Sequence, residues 1–320
     1  LGASWLASEG DASLFAGLKS FVDAYAQWIS RMEVVALAMS EAHVGQAQRH
    51  MQRCQEAEQR MRAGIALLET SSDVLTAFRL ANAALALQYS WRINPHPSEL
   101  VWRPFQLGFA LLCLESVANP ESSERETMDL LWFPTGGGKT EAYLLLTAFT
   151  IFLRRLRAKG NPSGAGVTTF MRYTLRLLTI QQFERAAALI CACEMVRRGK
   201  VMLEGVNLPT HFASDIPISL GLWVGEGATP NTVADAEKVL GTDAESSPSQ
   251  LRSCPCCHEV LDWRISADRS RVEVRCLTKT CDVGQELALL PIWTVDEDVY
   301  RERPTLLIAT VDKYAQITRN

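Results

Sequence analysis

The chain has 320 residues, 48% of them apolar and 21% charged, with a formal net charge of -4. That much apolar material can bury a substantial core, and the charge excludes a surface coated throughout for nucleic acid. The longest apolar stretches, 105–114 and 142–153, fall short of the roughly 20 residues a bilayer-spanning helix needs, so no membrane association is expected. With no basic leader and no signal-like apolar segment at Leu1, a cytoplasmic location is expected.

From Ala12 to about Gln88 the sequence is free of Pro, poor in Gly, and apolar at three- and four-residue steps, which predicts packed helices. Val74, Phe78, Ala81 and Leu85 form one stripe, Ser71 to Asp73 reads as its cap, and Asn94-Pro95-His96-Pro97 ends the region. The texture then changes to short apolar strands alternating with helices, the pattern of a parallel α/β sheet. Strands are predicted at 129–133, 168–174, 216–224 and 305–310. Between the last two, a polar, Ser-rich stretch from Gly241 to Ser253 leads into a cysteine-dense insertion. The expected segmentation is a helical region over 1–97, a first sheet segment over 98–240, the insertion over 241–290, and a return to the sheet over 291–320.

The predicted strand Met128 to Phe133 runs into Pro134-Thr135-Gly136-Gly137-Gly138-Lys139-Thr140, and Glu141 opens a helix. Strand, glycine loop, Lys-Thr and helix together make a phosphate-binding loop. Glycines let the backbone curl and aim successive N–H groups at a phosphate, to which the helix N-terminus adds its positive end. Lys139 would reach the β- and γ-phosphates of ATP, and Thr140 would give its hydroxyl to Mg²⁺. A loop of the general type carries Gly where Phe133 stands, so the sequence matches the helicase variety, Pro-Thr-Gly-x-Gly-Lys-Thr, instead.

Two neighbours support that class. Upstream, Arg103-Pro104-Phe105-Gln106 resembles the Arg-x-aromatic-Gln element of superfamily-2 motors, with Gln106 the candidate reader of adenine and Phe105 the support for the base. A helix-start Gln without that role stays open. Downstream, Thr174-Leu175-Arg176 to Gln181-Gln182 resembles motif Ia, whose hydroxyls, Arg and helix-start N–H groups suit a nucleic-acid backbone. Thr174, Arg176 and Gln181 are the candidate contacts. Pro304 to Tyr314 repeats the design with Thr310 at the strand end, where strand capping is the alternative. Between Glu141 and Lys200 there are ten Lys or Arg against three Glu, which fits either a phosphate-contacting face or a solvated helix surface.

Of nine cysteines, five lie between 254 and 281. Cys254-x-x-Cys257, eighteen residues, then Cys276-x₄-Cys281 has the spacing of a zinc ribbon, four soft ligands closing a structural tetrahedron around Zn²⁺. Cys256 and His258 crowd the first knuckle, and reduced thiols are the alternative reading. Cys54, Cys113, Cys191 and Cys193 read as small buried hydrophobes.

Taken together, the Pro-Thr-Gly-Gly-Gly-Lys-Thr-Glu-Ala loop, Thr-Leu-Arg-Leu-Leu-Thr-Ile-Gln-Gln, the cysteine insertion and Thr-Val-Asp-Lys-Tyr resemble the DrmA family, helicase-like subunits of bacterial DISARM anti-phage systems. The resemblance implies a RecA-like P-loop motor lobe of α/β class, preceded by an all-α N-terminal region and carrying a zinc-ribbon-like insertion. It also implies ATP-driven work on invading DNA and a DrmB-like partner subunit. The acidic motif II of such motors is expected after the Thr310 strand, and Asp296-Glu297-Asp298 precedes it. The sequence therefore reads as the first part of a longer motor, inactive alone in hydrolysis. A non-catalytic DNA- or partner-binding module with a vestigial loop is the alternative, and a P-loop kinase or transporter ATPase is disfavoured by the two neighbouring elements.

Overall fold

The computed structural model describes residues 1–93, 98–134, 136–159, 164–173, 176–201, 203, 206, 208–209, 212 and 215–316. It is α/β, with two compact units: Leu1–Asn82 with Leu100–Phe149, and Ala83–Glu99 with Thr150–Asn320. The phosphate loop thus groups with the N-terminal helices, and the cysteine insertion with the sheet. Among the described residues no helix is long and apolar enough to cross a membrane.

The first unit contains α1 (Ala3–Ser8), α2 (Asp11–Leu37), α3 (Glu41–Thr70), the first part of α4 (Ser72–Ser90) as far as Asn82, α5 (Pro104–Ala118) and α6 (Lys139–Arg157) as far as Phe149. The predicted stripe of α4 is buried along its length at Val74, Phe78, Ala81 and Leu85. Helix α3 packs between α2 and α5, and Gly64 is where α3 comes closest to α5. A Cβ added there would stand 2.1 Å from the Leu111 carbonyl oxygen, an approach that no side chain permits.

The chain entering α5 is pinned from several sides. Ala3 N–H donates to the Leu100 carbonyl and Trp102 N–H to that of Leu1, while the Trp102 indole donates to Asn82 Oδ1 at 2.9 Å. Arg103 is therefore delivered at a fixed place as the N-cap of α5, with Pro104 preset for the first turn.

The predicted strand at 129–133 does not form. Among its described residues the first unit is helical, so the segment has no strand to pair with. It is held instead by Asp129, whose two carboxylate oxygens accept from Arg60 of α3 at 2.6 and 2.8 Å. Met128, Leu130 and Trp132, alternating along the extended run, are exposed.

The second unit holds a four-stranded parallel sheet in the order β1 (Thr169–Tyr173), β6 (Leu306–Thr310), β2 (Leu220–Trp223), β5 (Ile292–Trp293). Three of the predicted strands are present, the first two trimmed at both ends and the last at its start only. β5 was not expected, because two residues carry no periodicity to detect. The run Leu306 to Ala309 is buried on both faces, as a central parallel strand requires.

Helix α7 (Arg176–Arg197) brings Glu194 to the sheet with no exposed surface. Glu194 accepts from Arg197 at 2.7 and 2.6 Å, from Arg198 at 2.8 Å, and from the Ile218 N–H at 2.9 Å, just ahead of β2. Arg155 donates to the Ile216 and Pro217 carbonyls, and burial, with Arg197 nearby, brings its pKa down to about 10. Arg154 holds the Val167 and Ala165 carbonyls, and Lys200 pairs with Glu286. Of the basic residues between 141 and 200, Arg155 and Arg197 are thus buried scaffolding, whereas Arg157, Arg172, Arg198 and Lys200 are exposed.

Candidate functional site

At the phosphate loop, Gly136 and Gly138 take φ of +80° and +87°, a region that side chains rarely enter. The Gly137 N–H closes a turn onto the Pro134 carbonyl at 3.1 Å. Lys139 turns back into that curl, its ammonium donating to the Phe133 carbonyl and, at 3.3 Å, to that of Pro134. Thr140 and Glu141 follow in the first turn of the 19-residue α6. Thr135 lies outside the described residues. An ammonium at a glycine curl ahead of a helix N-terminus is suited to an anion.

The start of α5 grips this loop at three points. Arg103 Nη1 donates to the Gly137 carbonyl at 2.8 Å. Phe105 stacks on Phe133, ring centroids 3.8 Å apart and planes 15° from parallel. Gln106, 4% exposed, accepts the Arg103 N–H on Oε1 at 2.9 Å and donates from Nε2 to the Gly138 carbonyl at 2.7 Å. The structure thus places Phe105 and Gln106 against the loop itself.

In the sheet, Tyr173 and Thr310 are register partners at the carboxyl ends of β1 and β6, the edge where open α/β sheets bind ligands. Thr310 is half-buried and Gln181 is exposed on α7. Thr174 lies outside the described residues, as does the side chain of Arg176. The sequence reading missed Lys313, which follows β6 on α11 (Val311–Gln316). Its ammonium pairs with Asp296, side chains 11% and 9% exposed. A single Lys in a helix gives no signal of such a buried partner.

Asp296-Glu297-Asp298 opens α10 (Asp296–Glu302), and its carboxylates tie elements together. Asp296 takes Lys313, Glu297 accepts the Val233 N–H at 2.9 Å, and Asp298 accepts the Val272 N–H at 3.0 Å and pairs with Arg301. Burial raises the pKa of Asp296 and of Asp298 against the pull of those partners.

The cysteine insertion is built around an antiparallel ribbon, β3 (Asp262–Ile265) and β4 (Val272–Arg275). Knuckles lie on either side of it. In the first, the Cys254 N–H reaches the Glu259 carbonyl and the His258 N–H returns to Cys254, with His258 at φ +64°. In the second, Cys281 caps the short α9 (Asp282–Glu286), its sulfur accepting the Gly284 N–H at 3.3 Å. The sulfurs of Cys254, Cys257, Cys276 and Cys281 all lie within 4.8 Å of one another, Cys254 and Cys281 at 3.7 Å and Cys257 and Cys276 at 3.5 Å. A tetrahedron built on zinc–sulfur bonds has edges of about 3.8 Å. The cluster can therefore hold a metal ion such as zinc.

The crowding at the first knuckle resolves in favour of the predicted set. Cys256 stands outside the cluster, and His258 donates its Nε2 proton to the Trp91 carbonyl at 2.6 Å. Burial raises the Cys254 thiol well above its usual range and Cys281 to about 12. At Cys257 burial is outweighed by hydrogen bonds, first that of the Glu259 N–H, and the pKa is lowered. A divalent cation would supply the charge that lets the buried thiols ionise together. Cys113, Cys191 and Cys193 are buried thiols whose pKa burial raises, in keeping with the role of small hydrophobes.

No family model matches the chain. It is 34% identical, over 94% of its length, to the DISARM protein DrmA of Bacillus paralicheniformis, and spans 28% of the length of that protein. The chain is accordingly DrmA-like along nearly its whole length.

Proposed function

We propose that this chain carries the ATP-binding first part of a RecA-like superfamily-2 motor lobe that works on DNA in anti-phage defence. The observation that carries the reading is the loop geometry, two positive-φ glycines with Lys139 folded into their curl at the head of α6. In this reading Gly136 to Lys139 hold the phosphates and Thr140 offers its hydroxyl to Mg²⁺, which would neutralise charge on the γ-phosphate. Thr174, Arg176, Gln181 and Thr310 position the DNA backbone, the last at the carboxyl end of the sheet. Zinc in the four-cysteine cluster shapes the insertion. The likeness to DrmA supports the setting, a DISARM system, and a DrmB-like subunit is the partner that setting proposes.

The test is ATP turnover by the longer parent protein, with and without DNA, in wild type and Lys139→Ala. Stimulation by DNA is expected, together with a fall of at least about a hundredfold in the variant, the loss of one charge contact to the transferring phosphoryl group. No turnover, or turnover indifferent to both DNA and Lys139, would overturn this reading in favour of the non-catalytic binding module.

A further inference from the structure

The three contacts from α5 to the phosphate loop bear on what the loop selects. An adenine-reading glutamine must present a donor and an acceptor to the base. Gln106 presents little of either: it is 4% exposed, and its amide is held at both ends, Oε1 accepting the Arg103 N–H and Nε2 donating one of its two hydrogens to the Gly138 carbonyl. The fit is close, since a Cβ on Gly138 would meet Gln106 Nε2 at 2.8 Å. Nor is Phe105 free to support a base on the face it turns to Phe133, where the rings stack at 3.8 Å.

Gly138 is the residue whose positive φ turns the chain into Lys139. Its carbonyl, fixed by Gln106, and that of Gly137, fixed by Arg103 Nη1 at 2.8 Å, orient the two peptide units ahead of the lysine. We propose that Gln106 is a positioning residue of the phosphate loop and does not read the base, so that the site selects a nucleoside triphosphate by its phosphates without discriminating adenine from guanine. The inference rests on the reading of the loop as a triphosphate site.

The experiment is equilibrium titration of the Mg²⁺ complexes of ATP, GTP and inorganic tripolyphosphate into wild type, Gln106→Glu and Lys139→Ala. Wild type is expected to bind ATP and GTP within about threefold of each other, the difference left when no base-specific hydrogen bond is made. Gln106→Glu keeps the acceptor for Arg103 but sets an oxygen against the Gly138 carbonyl. It should weaken all three ligands by one common factor of about ten, the effect of leaving one buried carbonyl without its donor. A merely structural role would instead lower the number of sites at saturation and leave the dissociation constant of the remaining sites unchanged.

A preference of wild type for ATP over GTP beyond about tenfold, erased by Gln106→Glu while tripolyphosphate binding stays unchanged, overturns the proposal and leaves the loop reading standing. Should Gln106→Glu not fold, the ATP to GTP ratio of wild type decides alone. If wild type binds none of the three, or Lys139→Ala binds them as well as wild type does, the loop reading falls and the proposal with it.

Discussion

Replacing Cys276 by Ser is expected to abolish metal binding by the four-cysteine cluster and to unfold the segment from Cys254 to Cys281. The reason is the small apolar content of that segment. It buries Leu261, Val272 and Val274 with Cys254, Cys276 and Cys281, and half-buries Trp263 and Ile265, a small apolar content to set against conformational entropy of about 1.5 kcal/mol per ordered residue. A structural zinc supplies on the order of 10 kcal/mol at neutral pH, all of it folding energy, because the site does not exist in the unfolded chain. Cys276 is one of four sulfurs within 4.8 Å of one another, so its loss leaves three thiolates where a structural site closes with four ligands. The effect should be specific to the four. Cys256→Ser, one residue from a ligand but outside the cluster, should keep the metal and the melting temperature. Metal content per chain by mass spectrometry and thermal melting with and without a chelator read both variants. Retention of metal by Cys276→Ser, or its loss from Cys256→Ser, would contradict the ligand set.

The second large effect is expected at Glu194, with about 3–5 kcal/mol lost on substitution by Ala, the cost of breaking a buried ion pair by removing one partner. Its carboxylate is the common acceptor for two Arg197 nitrogens, Arg198 Nε and the Ile218 N–H, with Arg197 itself 6% exposed. Removing it leaves two guanidinium groups without the charge that neutralises them, next to Arg155, whose pKa burial and Arg197 already bring down to about 10. It also frees the chain just ahead of β2, the strand at whose carboxyl end Trp223 packs with Trp293 and Leu307. Glu194→Gln, which keeps an acceptor and loses the charge, should cost roughly half as much. Urea unfolding followed through tryptophan fluorescence measures both, and a loss below about 1 kcal/mol for the Ala variant would place Glu194 among ordinary surface ion pairs.

Glu194 also marks where the sequence stops being informative. A Glu among Arg residues on a helix has the same local pattern whether it is solvated or buried, and only the tertiary arrangement puts Ile218 within reach. The parallel strands at Thr169–Tyr173, Leu220–Trp223 and Leu306–Thr310 were legible because apolar runs between helices have few other uses. The four clustered cysteines were legible because thiol spacing is itself the signal. The strand expected ahead of the phosphate loop was not, since apolar character at Met128, Leu130 and Trp132 gives the propensity to pair without providing a partner. At Gln106 the residue type narrowed the role to hydrogen bonding, and the direction of its amide, toward Gly138, became visible only once the loop was folded. Lys313 and Asp296 are seventeen positions apart, and no local pattern links them.

The central claim, that the glycine curl around Lys139 takes a triphosphate, is tested most directly by binding of a fluorescent ATP analogue with Mg²⁺ to the chain and to Lys139→Ala, with competition by unlabelled ATP. Saturable binding that ATP displaces is expected, weakened by the substitution at least about tenfold, the worth of one charged contact to phosphate. Binding of equal strength by both proteins would contradict the claim.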